Sequence, residues 1–264
     1  MKTILITGAS AGLGKATALL FQQKGWRVIA TMRDPSKEKE LQLLPNVILL
    51  PLDVTNPTQI AETAVEAMKI GVDVVFNNAG YGLVGALEAC TDEQITAQIN
   101  TNFTGVIRVT KAFIPYFRQK GSGLFITTTS VCGLTSNPLS TVYNATKFAL
   151  EGWSECMHYE LAQFNIGIKT VAPGGIKSNY MNVMEVAPHP DYDQLMKKMG
   201  EVFAEGLITF TDPEIIALSV WEAATDGKDQ LCYIAGEDAV RNVKHRLEIG
   251  TEAYRIEMAE RLRP

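Results

Sequence analysis

Histidine occurs three times and cysteine four times in these 264 residues, and neither type is grouped. Without an HExxH helix or closely paired Cys/His spacing there is no metal site on which to build a function. Cys90, Cys132, Cys156 and Cys232 lack a redox spacing and are expected to be reduced thiols. A serine hydrolase combining Ser130 with His158 or His189 lacks the GxSxG context that would expose its nucleophile. Long hydrophobic runs are also missing. The apolar run that opens MKTILITGAS stops at glycine after four residues, so neither a signal peptide nor a membrane span is expected, and a soluble, cytoplasmic protein is. Positive charge is in deficit: 24 Lys and Arg face 29 Asp and Glu for a net charge of −5, with no basic stripe, which argues against nucleic acid as a partner. Repeats, low-complexity segments and linkers are absent.

What is present is apolar residue in quantity, 46% of the chain, enough for one large core and one α/β domain over residues 1–264. Strand and helix patterns alternate from end to end, so the expected fold is a doubly wound, mostly parallel sheet of about seven strands with helices on both faces. KTILITG followed by ASAGLGKATALLFQQKG reads as strand, glycine turn and amphipathic helix, the unit that places a phosphate at a helix N-terminus. Gly8, Gly12 and Gly14 have GxxxGxG spacing rather than GxGxxG, and the turn follows an apolar strand and opens a helix, the context a phosphate cradle requires.

A second strand, RVIATM, ends at Arg33 and Asp34. An acid there would bind a ribose 2′-hydroxyl and an arginine would suit a 2′-phosphate. Arg33 lies nearer the strand end and Lys37 and Lys39 follow, so NADP is favoured and NAD is the alternative. NVILLPLDVT is a third strand ending at Asp53, residues 57–68 read as a helix with proline at its start, and VDVVFNNAG runs into Asn77, Asn78, Ala79 and Gly80. Those amides could contact an adenosine or satisfy backbone groups in a turn. Residues 92–120 read as one helix, with Asn102 an anomaly of poor propensity inside it.

LFITTTS, residues 124–130, reads as a buried strand that delivers Ser130 at its end. Tyr143 and Lys147 then stand four apart on a helix, on one face, where the ammonium favours the phenolate and turns a weak acid into a usable one. NIGIKTVAPGG is a further strand broken by Pro173, Gly174 and Gly175 at the carboxyl edge of the sheet, where open α/β sheets bind ligands. Residues 176–206 lack strand character and carry Tyr180, Met181, Met184, Met196 and Met199. They read as a substrate lid or as a helix pair packed on the core.

Taken in order, TGASAGLG, NNAG, the Asn102 of NTNFTG, Ser130, YNATK and PGGIKS resemble the short-chain dehydrogenase/reductase family of Rossmann-fold oxidoreductases along nearly the whole chain. The resemblance implies that Gly8, Ser10, Gly12, Leu13 and Gly14 form the pyrophosphate turn. It sets Asp53 and Val54 beside adenine, and Asn78, Ala79 and Gly80 beside a ribose. Pro173, Gly174, Ile176 and Ser178 would stand by the nicotinamide. It also implies a catalytic set of Asn102, Ser130, Tyr143 and Lys147. Tyr143 would be general acid in ketone reduction and base in alcohol oxidation, Ser130 would hold the carbonyl oxygen, Lys147 would bind the nicotinamide ribose, and Asn102 would position a water.

VIATMRDPSK is similar to the steroid and retinol dehydrogenase side of the family, which implies an apolar ketone or secondary alcohol as substrate. Cys132, Leu134, Tyr180, Met181 and Met184 would line its pocket. The family also contains non-catalytic cofactor-binding regulators, which typically lack part of the catalytic set that is complete here. A homo-oligomer is expected through the helices near residues 101–120 and 141–164, where Phe113, Phe117, Phe148, Leu150 and Trp153 exceed one core-facing stripe.

Overall fold

The computed structural model describes residues 1–177 and 184–263. From the N-terminus, β1 (Thr3–Thr7) leads into α1 (Gly12–Gln23), β2 (Arg27–Met32) and β3 (Val47–Pro51), then α2 (Pro57–Ile70), β4 (Val74–Asn77) and the short β5 (Leu83–Gly85). Helices α3 (Asp92–Ile99) and α4 (Gly105–Lys120) precede β6 (Gly123–Thr128), α5 (Thr141–Ala162) and β7 (Ile166–Pro173). The remainder is β8 (Glu185–Ala187), α6 (Asp193–Val202), α7 (Pro213–Thr225), β9 (Cys232–Ala235), α8 (Glu237–Ile249) and α9 (Thr251–Arg261).

Seven strands pair in the order β3-β2-β1-β4-β6-β7-β9, and every pairing is parallel, with Thr7 beside Thr31, Ile6 beside Phe76 and Asn77 beside Thr127. Successive side chains of a strand alternate faces. Ile4 and Ile6 therefore join Val28, Ala30 and Phe76 in one core with Phe21 of α1 and Val220 of α7. Leu5 joins Ile29, Val75 and Phe125 in the other, under Ile60, Phe113, Phe117 and Leu161 of α2, α4 and α5. Both faces are covered, which is what allows the strands to be almost continuously apolar. The strand order reverses between β1 and β4, so the carboxyl ends of the strands open a crevice there.

Three expectations change. The helix expected over residues 92–120 is interrupted by a π turn at Asn100–Thr104, since the chain accommodates Asn102 by widening one turn rather than by exposing it. The segment expected to lack strand character contains β8, paired in parallel with β5. Three residues are too few to leave a periodic signal. Of the aromatic and aliphatic residues expected to be spare for an interface, Phe113, Phe117 and Leu150 are fully buried and Trp153 packs at the core's edge, while Phe148 is exposed. Two faces of sheet need more apolar surface than a single stripe suggests.

Candidate active site

The turn after β1 takes its shape from glycine. Gly8 and Gly12 have φ of 68° and 54°, left-handed values that side chains resist, and a Cβ at Gly8 would lie 2.8 Å from the Cα of Ala79. A Cβ at Gly14 would collide with the Gly8 carbonyl, so the helix can close on the strand only because that atom is missing. Ala11, at the N-cap of α1, offers no side-chain cap, and the first turn holds no acidic residue. Its leading N–H groups are thus left for an anion, and these residues fit a dinucleotide pyrophosphate. Ser10 is exposed on the same turn.

Asn78 braces this turn. Its Nδ2 donates to the carbonyls of Thr7 and Gly8, both at 3.1 Å, and its Oδ1 accepts from Thr128 Oγ1 at 3.2 Å. Thr7 Oγ1 accepts in return from the N–H groups of Asn78 and Ala79 at 2.9 and 3.0 Å. The ends of β1, β4 and β6 are therefore tied into one floor, and the turn-satisfying reading of Asn78 is the one its side chain follows. Asn77 turns inward, donating to Thr110 Oγ1 at 3.0 Å.

At the end of β2 the two neighbours part company. Asp34 caps the short helical turn Pro35–Lys37, accepting from Ser36 N–H and Oγ at 3.1 and 2.6 Å and pairing with Lys37. Ser36 and Lys37 together hold its carboxyl below the usual range. Arg33 is exposed and carries no hydrogen bond or ion pair among the described residues. Asp53 closes an Asx turn on Thr55, at 2.9 Å to its N–H and 2.7 Å to its hydroxyl. Val54 is buried in the core beneath α4, where it stands against Gly105.

Ser130 lies two residues beyond β6, 6% exposed, and its Oγ accepts from Cys132 N–H at 3.1 Å. Tyr143 and Lys147 lie on the first turns of α5 with the ammonium 5.6 Å from the phenol ring centroid. Lys147 is buried, and Nζ donates to the carbonyl of Thr128 at 2.8 Å. Burial, only partly offset by Cys132 and Glu151, brings its pKa down from 10.5 to about 8. A cation that titrates near neutrality is placed beside the phenol, at the end of the strand that carries Ser130.

Asn102 is 1% exposed and clasps the backbone of Tyr81: its Oδ1 accepts from the N–H at 3.1 Å and its Nδ2 donates to the carbonyl at 2.8 Å. The side chain is therefore committed to the loop after β4.

Pro173 ends β7, Gly174 N–H donates to Ala235 and Ile176 forms a bridge with Thr211. Cys132 and Leu134 pack with Val131 against Ala239 and Val243 of α8, and Met184 is half-buried at the entry to β8. Ser178, Tyr180 and Met181 lie outside the described residues. Met196 and Met199 of α6 pack with Ala86 and Leu139.

Two carboxylates escaped sequence reasoning. Glu151, whose Oε2 accepts from Thr170 Oγ1 at 3.0 Å, sits one helical turn beyond Lys147, and burial holds its carboxyl above the usual range. Its spacing of four from Lys147 and eight from Tyr143 was the available signal. Asp238, buried under the glycines after β7, had none.

Residues 2–187 match the family model described as short chain dehydrogenase. An uncharacterized oxidoreductase of Schizosaccharomyces pombe is 36% identical over 226 residues, 84% of this chain and 96% of that protein. Human retinol dehydrogenase 8 is 36% identical over 188 residues, 68% of this chain and 60% of that protein. The crystal structure of a short-chain dehydrogenase from Streptomyces avermitilis superposes with a TM-score of 0.84 at 30% identity, covering 98% of this chain and 95% of that one. Two structures share the fold at lower identity. One, from Burkholderia phymatum in complex with NAD, has a TM-score of 0.80 at 21% identity and 94% coverage of each chain. The other, from Burkholderia cenocepacia in complex with NADP, has a TM-score of 0.79 at 23% identity and 100% coverage of each chain.

Proposed function

The chain belongs to the short-chain dehydrogenase family and is an oxidoreductase, and on that footing we propose that it reduces bulky, uncharged ketones, or oxidises the matching secondary alcohols, with Tyr143 as acid and base and NADPH as cofactor. The observation that carries the reading is the Tyr143–Lys147 pair, with a buried ammonium at the phenol ring and Ser130 at the end of the neighbouring strand. When bound, the nicotinamide supplies or accepts the hydride. The chain's own residues do the rest. Ser130 Oγ donates to the carbonyl oxygen and stabilises the negative charge that develops on it. Tyr143 transfers its proton to that oxygen, and the Lys147 cation favours the phenolate that remains. In oxidation the same phenolate accepts the alcohol proton.

Arg33 supports NADPH over NADH, because its exposed guanidinium has no partner among the described residues and could meet a 2′-phosphate, while the carboxylate of Asp34 is engaged by Ser36 and Lys37. The likeness to human retinol dehydrogenase 8, whose name gives an apolar alcohol as its substrate, supports an apolar substrate here. The half-buried Met184 and the methionines of α6 would make a compliant border to the pocket. Arg33→Ala should weaken NADPH by about ten-fold or more, in line with a charge-assisted contact of roughly 1.5–3 kcal/mol, and leave NADH nearly unchanged. Equal losses on both cofactors in a fluorescence titration would refute the assignment of Arg33.

Assembly into a homo-oligomer belongs to the same proposal. Between α3 and α5 lies a groove of about 420 Å³ lined by Leu87, Ile99, Phe103, Val142 and Ala149. Leu87, Ile99 and Phe148 are exposed there and on α5.

A further inference from the structure

The glycine turn after β7 is seated on a buried acid from another part of the chain. Asp238 lies in the first turn of α8, 63 residues beyond Gly175, and its Oδ2 accepts from the Gly175 N–H at 2.9 Å. The residue is 1% exposed, and its Oδ1 has no partner among the described residues. The carboxylate fills the space that a side chain on Gly174 would need, since a Cβ built there would collide with it. Gly174 N–H is bonded to the Ala235 carbonyl at 2.9 Å, and the Gly175 carbonyl accepts from Thr211 N–H at 2.8 Å. The turn is thus held from β9, from the strand-like stretch at Thr211 and from Asp238. Of these contacts only the last comes from a side chain, so it is the one that substitution can remove.

We propose that Asp238 is a positioning residue that fixes the turn Pro173–Gly174–Gly175, and through it the nicotinamide half of the cofactor, without touching the adenosine half. The inference rests on the cofactor reading above. Its physical basis is the cost of burying a carboxylate: a buried acid persists in a fold where it organises something, and here what it organises is a main-chain N–H and the close approach of a glycine. The other end of the cofactor would be held by the turn after β1 and by Arg33, which share no contact with Asp238. The two halves are therefore separable by measurement.

The test compares NADPH with adenosine 2′,5′-bisphosphate, which lacks the nicotinamide, by isothermal titration on the full chain. Asp238→Ala should weaken NADPH about ten-fold and leave the bisphosphate within about two-fold. Asp238→Asn, which keeps an acceptor oxygen for Gly175, should retain most of the NADPH affinity. A general loss of structure would lower both affinities together, so the ratio is the readout that a merely structural role would not move. If Asp238→Ala does not fold, Gly174→Ala replaces it: the added methyl meets the carboxylate and should lower NADPH affinity selectively. An unchanged ratio in the variant that folds overturns the role of Asp238 while wild-type binding of NADPH leaves the cofactor reading standing. A wild-type chain that binds neither NADPH nor NADH overturns both.

Discussion

Lys147 sets the acid–base behaviour that the site should display. Its burial lowers the pKa to about 8, so the ammonium is present below that pH and lost above it. Reduction requires a protonated Tyr143 beside a cation, and kcat/KM for ketone reduction should therefore be level at lower pH and fall as pH rises through about 8. Alcohol oxidation, whose phenolate the same cation favours, should lose that support over the same range. Lys147→Met should abolish this limb, and a profile indifferent to that substitution would place the titrating group elsewhere. At this scale the sequence was most readable: Tyr143 and Lys147 are four apart on one helix, and local spacing alone sets them side by side. Asp34 was not readable in the same way. Its capping of Ser36 depends on the backbone turning at Pro35, which leaves Arg33 as the exposed neighbour without a partner among the described residues.

At the scale of elements, the alternation of strands and helices announced the parallel sheet, because period-2 and period-3.6 patterns are carried within each segment. What joins the elements was hidden. Asn102 reaches Tyr81, 21 residues back, and Asn78 reaches Thr7 and Gly8, about 70 residues back. No spacing rule connects residues so far apart. The π turn at Asn100–Thr104 is what points Asn102 at the loop after β4, where a Cβ on Gly80 would stand 3.1 Å from its Oδ1. Asn102→Ala would leave the Tyr81 N–H without its acceptor, while the Tyr81 carbonyl would keep the Gln98 Nε2 donor at 2.9 Å. The expected loss is about 1–3 kcal/mol in urea unfolding, together with several-fold weaker NADPH binding through the displaced 78–80 loop. Wild-type stability in this variant would mean that the clasp contributes nothing to the floor of the site.

Over the whole molecule, five of the candidate groups stand at the carboxyl ends of parallel strands: the glycine turn after β1, Arg33 after β2, Asn78 after β4, Ser130 after β6 and Gly174 after β7. The parallel order converts five separate stretches of sequence into one crevice, and α5 lays Tyr143 and Lys147 across it. Assembly is a separate expectation. Light scattering at micromolar concentration should give a multiple of 28.9 kDa, and a monomer mass would reject the apolar groove as a subunit contact. The central claim, proton transfer by Tyr143, is tested most directly by single-turnover loss of NADPH absorbance with an uncharged aryl ketone, comparing the wild type with Tyr143→Phe. The variant should bind NADPH within a few-fold of the wild type and reduce the ketone about 10²–10⁴ times more slowly, the usual worth of a general acid. Retention of more than about a tenth of the wild-type rate would contradict the claim.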